Sequence, residues 1–79
     1  MIDKILESYP DETFLKMEGF DDAIIGKDIN TNKLIYSFTK CIQILIKDMV
    51  EEEALDYFYY NIVGSYVGEN TPIIVEDSF

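Results

Sequence analysis

Oxygen-bearing side chains recur at every second residue in Asp28-Ile29-Asn30-Thr31-Asn32, the spacing at which the first half of an EF-hand loop offers ligands to calcium. The second half of such a loop is missing. Its sixth position needs the Gly of a sharp turn and holds Lys33, and its twelfth needs a bidentate Glu and holds Thr39. We therefore read the segment as turn-forming residues without a metal. Two other carboxylate groups invite magnesium or acid–base chemistry: Asp21-Asp22, and Glu51, Glu52, Glu53 with Asp56. Consecutive helical residues fan around the axis, so in the second group only Glu52 with Asp56, joined in part by Glu53, share a face. The glutamates suit the start of a helix, where they meet its partial positive charge. Asp21-Asp22 is the stronger local pair, and a metal-assisted enzyme built on it is the third of three functions the sequence admits.

The composition argues against that third function. The 79 residues include six Lys and sixteen Asp and Glu but no Arg and no His, for a net charge of −10. Nucleophilic catalysis would have to find its base in Lys or a carboxylate, and nothing in the spacing sets one beside a Ser, Thr or Cys. The glycines at 19, 26, 64 and 68 are scattered, so no phosphate-cradling loop is present. Cys41 is alone, which rules out an intrachain disulfide and the Cys/His spacing of a zinc site. It falls on the apolar side of a predicted helix, where a lone Cys serves as a small buried hydrophobe. A non-enzymatic protein is expected, with no cofactor and no metal. Direct nucleic-acid binding is disfavoured, because backbone affinity comes from Lys and Arg neutralising phosphates. The sign of the charge admits instead, as a second function, an acidic mimic of nucleic acid that inhibits a nucleic-acid-binding protein. Ten charges spaced as on a duplex cover only about five base pairs, so a dimer would make the better mimic.

The positive clue is aromatic. In Tyr57-Phe58-Tyr59-Tyr60, a helical wheel with Phe58 inward puts Tyr57 and Tyr59 on the flanks and aims Tyr60 almost directly away, near Asp56, with Val63 close to Tyr59 and Tyr60. Aromatic groups on the outward side are more than one small core can bury, and Tyr is enriched where proteins meet. The expected site is thus a protein interface of Asp56, Tyr59, Tyr60 and Val63.

The elements that must position these residues follow from periodicity. Ile2, Ile5, Leu6 and Tyr9 share one face of a short helix that Pro10 stops. Phe14, Leu15 and Met17 precede Glu18-Gly19 in an irregular bridge toward a sheet. Ala-Ile-Ile-Gly-Lys and Lys-Leu-Ile-Tyr-Ser, on either side of residues 28–32, form an antiparallel hairpin in which Gly26 marks a bulge or a close approach. Ser37 caps the next helix, whose apolar stripe is Phe38, Cys41, Ile42, Leu45 and Met49, with Thr39, Lys40, Gln43 and Lys47 in solvent. Asp48-Met49-Val50-Glu51 resembles a capping box and opens a third helix, which Gly64 or Gly68 ends. A last strand begins at Pro72. The fold expected is α+β: a small three-stranded antiparallel sheet with helices packed on one face, in the order α-β-β-α-α-β, as a single domain over residues 1–79.

The 48% apolar content argues against disorder. The longest apolar runs fall far short of the roughly 18 residues a membrane span needs, and Met1-Ile2-Asp3-Lys4 lacks the features of a signal peptide. A soluble intracellular protein that does not engage a membrane is expected. The run Gly19-Phe-Asp-Asp-Ala-Ile-Ile-Gly26, then Leu34-Ile-Tyr-Ser37, then Tyr66-Val-Gly-Glu-Asn-Thr-Pro-Ile73 resembles a family of small tailed-bacteriophage proteins, from about Pro10 to Val75. That family has no assigned activity, so the resemblance transfers no functional residue. It implies a phage origin and a place in the host cytoplasm. The family pattern starts the third helix with Ser-Tyr-Glu-Glu-Ala where this chain has Val50-Glu51-Glu52-Glu53-Ala54, which implies a weaker cap here. The expectation as a whole is a protein that acts by binding another protein, or itself as a homo-oligomer.

Overall fold

Helix α1 spans Ile2–Ser8 in the computed structural model, which describes residues 2–10, 15–63 and 71–78. Ile2 and Ile5, one turn apart, are its buried residues. Leu6 and Tyr9, placed on the same face by the periodicity, stay about two-fifths exposed at 41% and 42%. A seven-residue helix can turn only a narrow stripe to the core. Tyr9 is covered instead by the Lys27 ammonium, 4.1 Å from the ring centroid. Of the bridge expected next, Phe14 lies outside the described residues. From Leu15 the chain is irregular, turns through Gly19 at φ +89°, and buries Phe20 before a 3-10 turn at Asp21–Ala23.

Strands β1 (Ile24–Lys27) and β2 (Leu34–Ser37) pair antiparallel, with Ile24 opposite Tyr36 and Gly26 opposite Ile35. Two steps along β1 match one along β2, so Ile25 is the extra residue of a β-bulge. A methyl group at Gly26 would meet nothing within 4 Å, which settles the sequence alternative in favour of the bulge. The connection closes through the Asp28 amide donating to the Lys33 carbonyl at 2.8 Å and the Asn32 amide donating to the Asp28 carbonyl at 2.9 Å. Asn32 takes the left-handed position at φ 61°, which Asn tolerates better than most residues.

β2 runs directly into helix α2 (Phe38–Leu45), with Ser37 as the shared residue. The Ser37 hydroxyl accepts the Lys40 amide at 3.2 Å, the expected cap. A turn at Ile46–Met49 leads to helix α3 (Glu51–Phe58), a turn of π-helix (Tyr59–Val63) and strand β3 (Ile73–Val75). Asp48 does not cap α3. Its amide donates to the Leu45 carbonyl, which keeps it in the turn that closes α2, and the N-cap is Val50, whose side chain makes no capping bond. The residues expected to end this helix, Gly64 and Gly68, lie outside the described residues.

The sheet has the order β1-β2-β3 and is mixed, not purely antiparallel, because β3 lies parallel to β2 with Ile35 opposite Ile73 and Ser37 opposite Val75. The α+β class stands and the antiparallel third strand is corrected. The physical reason is the connection: α2 and α3 form a long crossover, the kind of link that parallel neighbours require and a hairpin does not supply. Parallel pairing brings the end of β3 to the start of α2. Asp77, just past β3, accepts there from the Ser37 hydroxyl and from the Thr39 amide at 3.0 Å.

The core gathers Ile2, Ile5, Phe20, Ala23, Ile24, Leu34, Tyr36, Cys41 and Phe58. Tyr36 is fully buried, and its hydroxyl accepts the Met17 amide at 2.8 Å, which ties the irregular segment to the sheet. Burial raises the pKa of its phenol. Among the described residues no helix is long and apolar enough to cross a membrane.

Candidate functional site

Ala54 and Phe58, four residues apart and both fully buried, fix the inner side of α3. That choice forces Asp56 and Tyr57 outward. The π turn that follows changes the phase, since each residue of the wider turn advances by a smaller angle than in an α-helix. Tyr60 emerges 87% exposed, the most exposed aromatic side chain described. The Asn61 side-chain amide donates to the Tyr57 carbonyl at 3.1 Å across this turn.

Tyr59 is held differently. Its ring lies 5.7 Å from that of Phe38 and 6.1 Å from that of Phe58, nearly edge-on to the latter at 86°. Phe38 and Phe58 themselves stack 5.3 Å apart. These separations are favourable for tilted and edge-to-face pairs, so Tyr59 is anchored on one side and 52% exposed on the other.

Asp56, Tyr57, Tyr59, Tyr60 and Asn61 surround one open depression of about 520 Å³. The structure thus brings together Asp56, Tyr59 and Tyr60 from the expected interface. Val63 sits apart. It borders a smaller hollow of about 150 Å³ with Phe38, Phe58, Tyr59, Ile74 and Glu76, and a larger one of about 390 Å³ with Leu15, Met17, Ile62, Pro72 and Ile74. The expected interface left out Tyr57 and Asn61, which also border the depression, and the Asn at 61 was the available signal, a side chain able to satisfy a carbonyl where helical bonding loosens.

The other candidates have local work. The Asp28 carboxylate accepts from the Thr31 hydroxyl and the Thr31 amide at 2.6 and 2.8 Å, and these bonds, the hydroxyl's first, hold its pKa below the usual 3.8. The Asn32 side chain accepts the Lys27 ammonium at 2.6 Å. Asp21 pairs with Lys16 at 3.5 Å, and Asp22 borders a depression shared with Lys40, Gln43, Ile44 and Lys47. Among the described residues no group of three His, Cys, Asp or Glu is placed to hold a metal ion. Cys41 is fully buried, and burial, with the Asp77 charge second, pushes its thiol up to about 11. A thiol so placed is a poor nucleophile.

No protein-family model, no curated protein and no solved structure matches this chain.

Proposed function

We propose that the chain is a non-enzymatic binding protein that uses the outer face of α3 and its π turn to engage protein, either another chain or a copy of itself in a homo-oligomer. The observation that carries this reading is Tyr60, 87% exposed beside Tyr57 and Tyr59 on one depression. Tyr offers a large amphipathic contact with few rotatable bonds, which is why it concentrates at the centres of interfaces. The anchoring of Tyr59 on Phe38 and Phe58 supports the reading further, since a ring already fixed loses little freedom when it is covered. Asp56 supplies a charge at the edge of the depression, where charge steers a partner's approach. The cytoplasm of a bacterial host is the setting that the resemblance to tailed-phage proteins implies for this binding.

Light scattering at micromolar concentration, together with capture of partners from host lysate, tests the reading. Tyr60→Asp is expected to abolish the association observed while leaving the fold intact by circular dichroism. Association unchanged by that substitution would sink the assignment.

A further inference from the structure

We infer that the α3 face and its π turn dock on a second copy of this chain, against the lysine-bearing side of α2 and the turn after it, so that Glu52, Asp56 and Tyr60 of one copy meet Lys40, Ile44 and Lys47 of the other. The inference rests on the reading above that the outer face of α3 is an interface.

Each copy carries a net charge of −10, so two copies repel unless their contact brings opposite charges together. Most of the lysines are already engaged or offset. Lys16 is paired with Asp21, the Lys27 ammonium serves Asn32 and Tyr9, Lys33 acts on the Asp28 carboxylate, and Lys4 shares α1 with Asp3 and Glu7. Lys40 and Lys47 differ. Both are exposed, neither forms an ion pair among the described residues, and both line one depression of about 280 Å³ with Gln43 and Ile44.

The two faces also carry opposite charges. Lys40 and Gln43 lie one turn apart on α2, and Lys47, in the turn that follows the helix, lines the same depression. Glu52 and Asp56 share one side of α3 at i and i+4, and Asp56 borders the depression that Tyr60 of the π turn also lines. Two carboxylates and a ring thus face two ammonium groups with a half-buried Ile between them. Asp22 is the one carboxylate on the border of the receiving depression among the described residues, and of the three docking groups the Tyr60 hydroxyl is the one that can donate to it. Because donor and receiver are different patches, a closed two-fold dimer makes the contact twice.

The test is sedimentation and light scattering at low salt on four proteins: wild type, Tyr60→Asp, Lys40→Glu/Lys47→Glu, and Glu52→Lys/Asp56→Lys. Wild type is expected as a dimer or larger whose association weakens with added salt. Each charge-reversed protein alone is expected to lose at least about tenfold in association. A one-to-one mixture of the two is expected to associate again, since one copy's reversed receiver then meets the other's reversed donor. Wild type that stays monomeric, a lysine reversal that associates as wild type does, or a mixture that fails to recover overturns the inference. Lysine reversal without effect alongside a monomeric Tyr60→Asp leaves the α3 face standing and removes α2 as its receiver. Tyr60→Asp without effect removes both.

Discussion

The Ser37 hydroxyl donates to the Asp77 carboxylate while accepting the Lys40 amide at 3.2 Å, so two residues 40 positions apart form a single cap on α2. With the Thr39 amide on the other carboxylate oxygen, a remote acid fills the place an acidic first turn would take. Ser37→Ala is expected to cost about 1–2 kcal/mol of stability in urea unfolding. Asp77→Asn is expected to be destabilising as well, and the double variant to lose less than the two single losses together, because each removes the other's partner. Losses that simply add would show that the two residues act independently.

The same cap sets a pH dependence. The Ser37 hydroxyl bond, then the Thr39 amide, lower the Asp77 pKa below its ordinary 3.8. A carboxylate with a folded-state pKa below its unfolded value contributes stability that is complete above about 3.8 and disappears as the pH falls through the folded value. The stability difference between wild type and Asp77→Asn is therefore expected to be constant near neutrality and to shrink in acid. Unfolding curves between pH 7 and pH 2 measure it, and a gap that widens on acidification would contradict the cap.

Val50 stands at the N-cap of α3 with extended backbone, φ −72° and ψ 160°, and 63% exposed, yet it gives the helix no acceptor. Glu53 already holds the third helical position. Val50→Ser is expected to complete a capping box and add about 0.5–2 kcal/mol of stability, read as a higher urea midpoint with an unchanged slope.

Two glycines are expected to respond in opposite ways to Ala. At Gly26 the space is open and φ lies outside the left-handed range, so Gly26→Ala is expected to be neutral or to stabilise by up to about 1 kcal/mol. Gly19 has φ +89°, where a side chain is strained even in open space, and Gly19→Ala is expected to cost about 1–2 kcal/mol. Thermal unfolding of the two variants compares them directly.

What the sequence revealed was what neighbouring residues decide. The hairpin around residues 28–32, the Ser37 cap and the burial of Cys41 depend on turn chemistry or helical spacing over a few positions. The outward aim of Tyr60 needed only the inward choice of Phe58. The direction of β3 did not have that character, because it is set by how α2 and α3 pack between the strands. Asp77 was overlooked for the same reason: only parallel pairing carries it to the helix it caps. Asp48 attracted the α3 cap because its side chain suits the role better than that of Val50, whereas the bond from the Asp48 amide to Leu45 keeps it in α2's closing turn.

The unequal neighbours of β2 have a consequence in time. Its pairing with β1 closes across the short loop Ile29–Asn32, whereas its pairing with β3 must first bring together residues about 40 apart, at a greater entropic cost. The hairpin is expected to belong to the folding nucleus and β3 to dock afterwards. Asp77→Asn should then accelerate unfolding in stopped-flow traces and leave the folding rate near that of wild type. Ile74 of β3 lines the hollow beside Phe38, Phe58 and Tyr59, so the strand expected to dock last also completes the wall of that hollow.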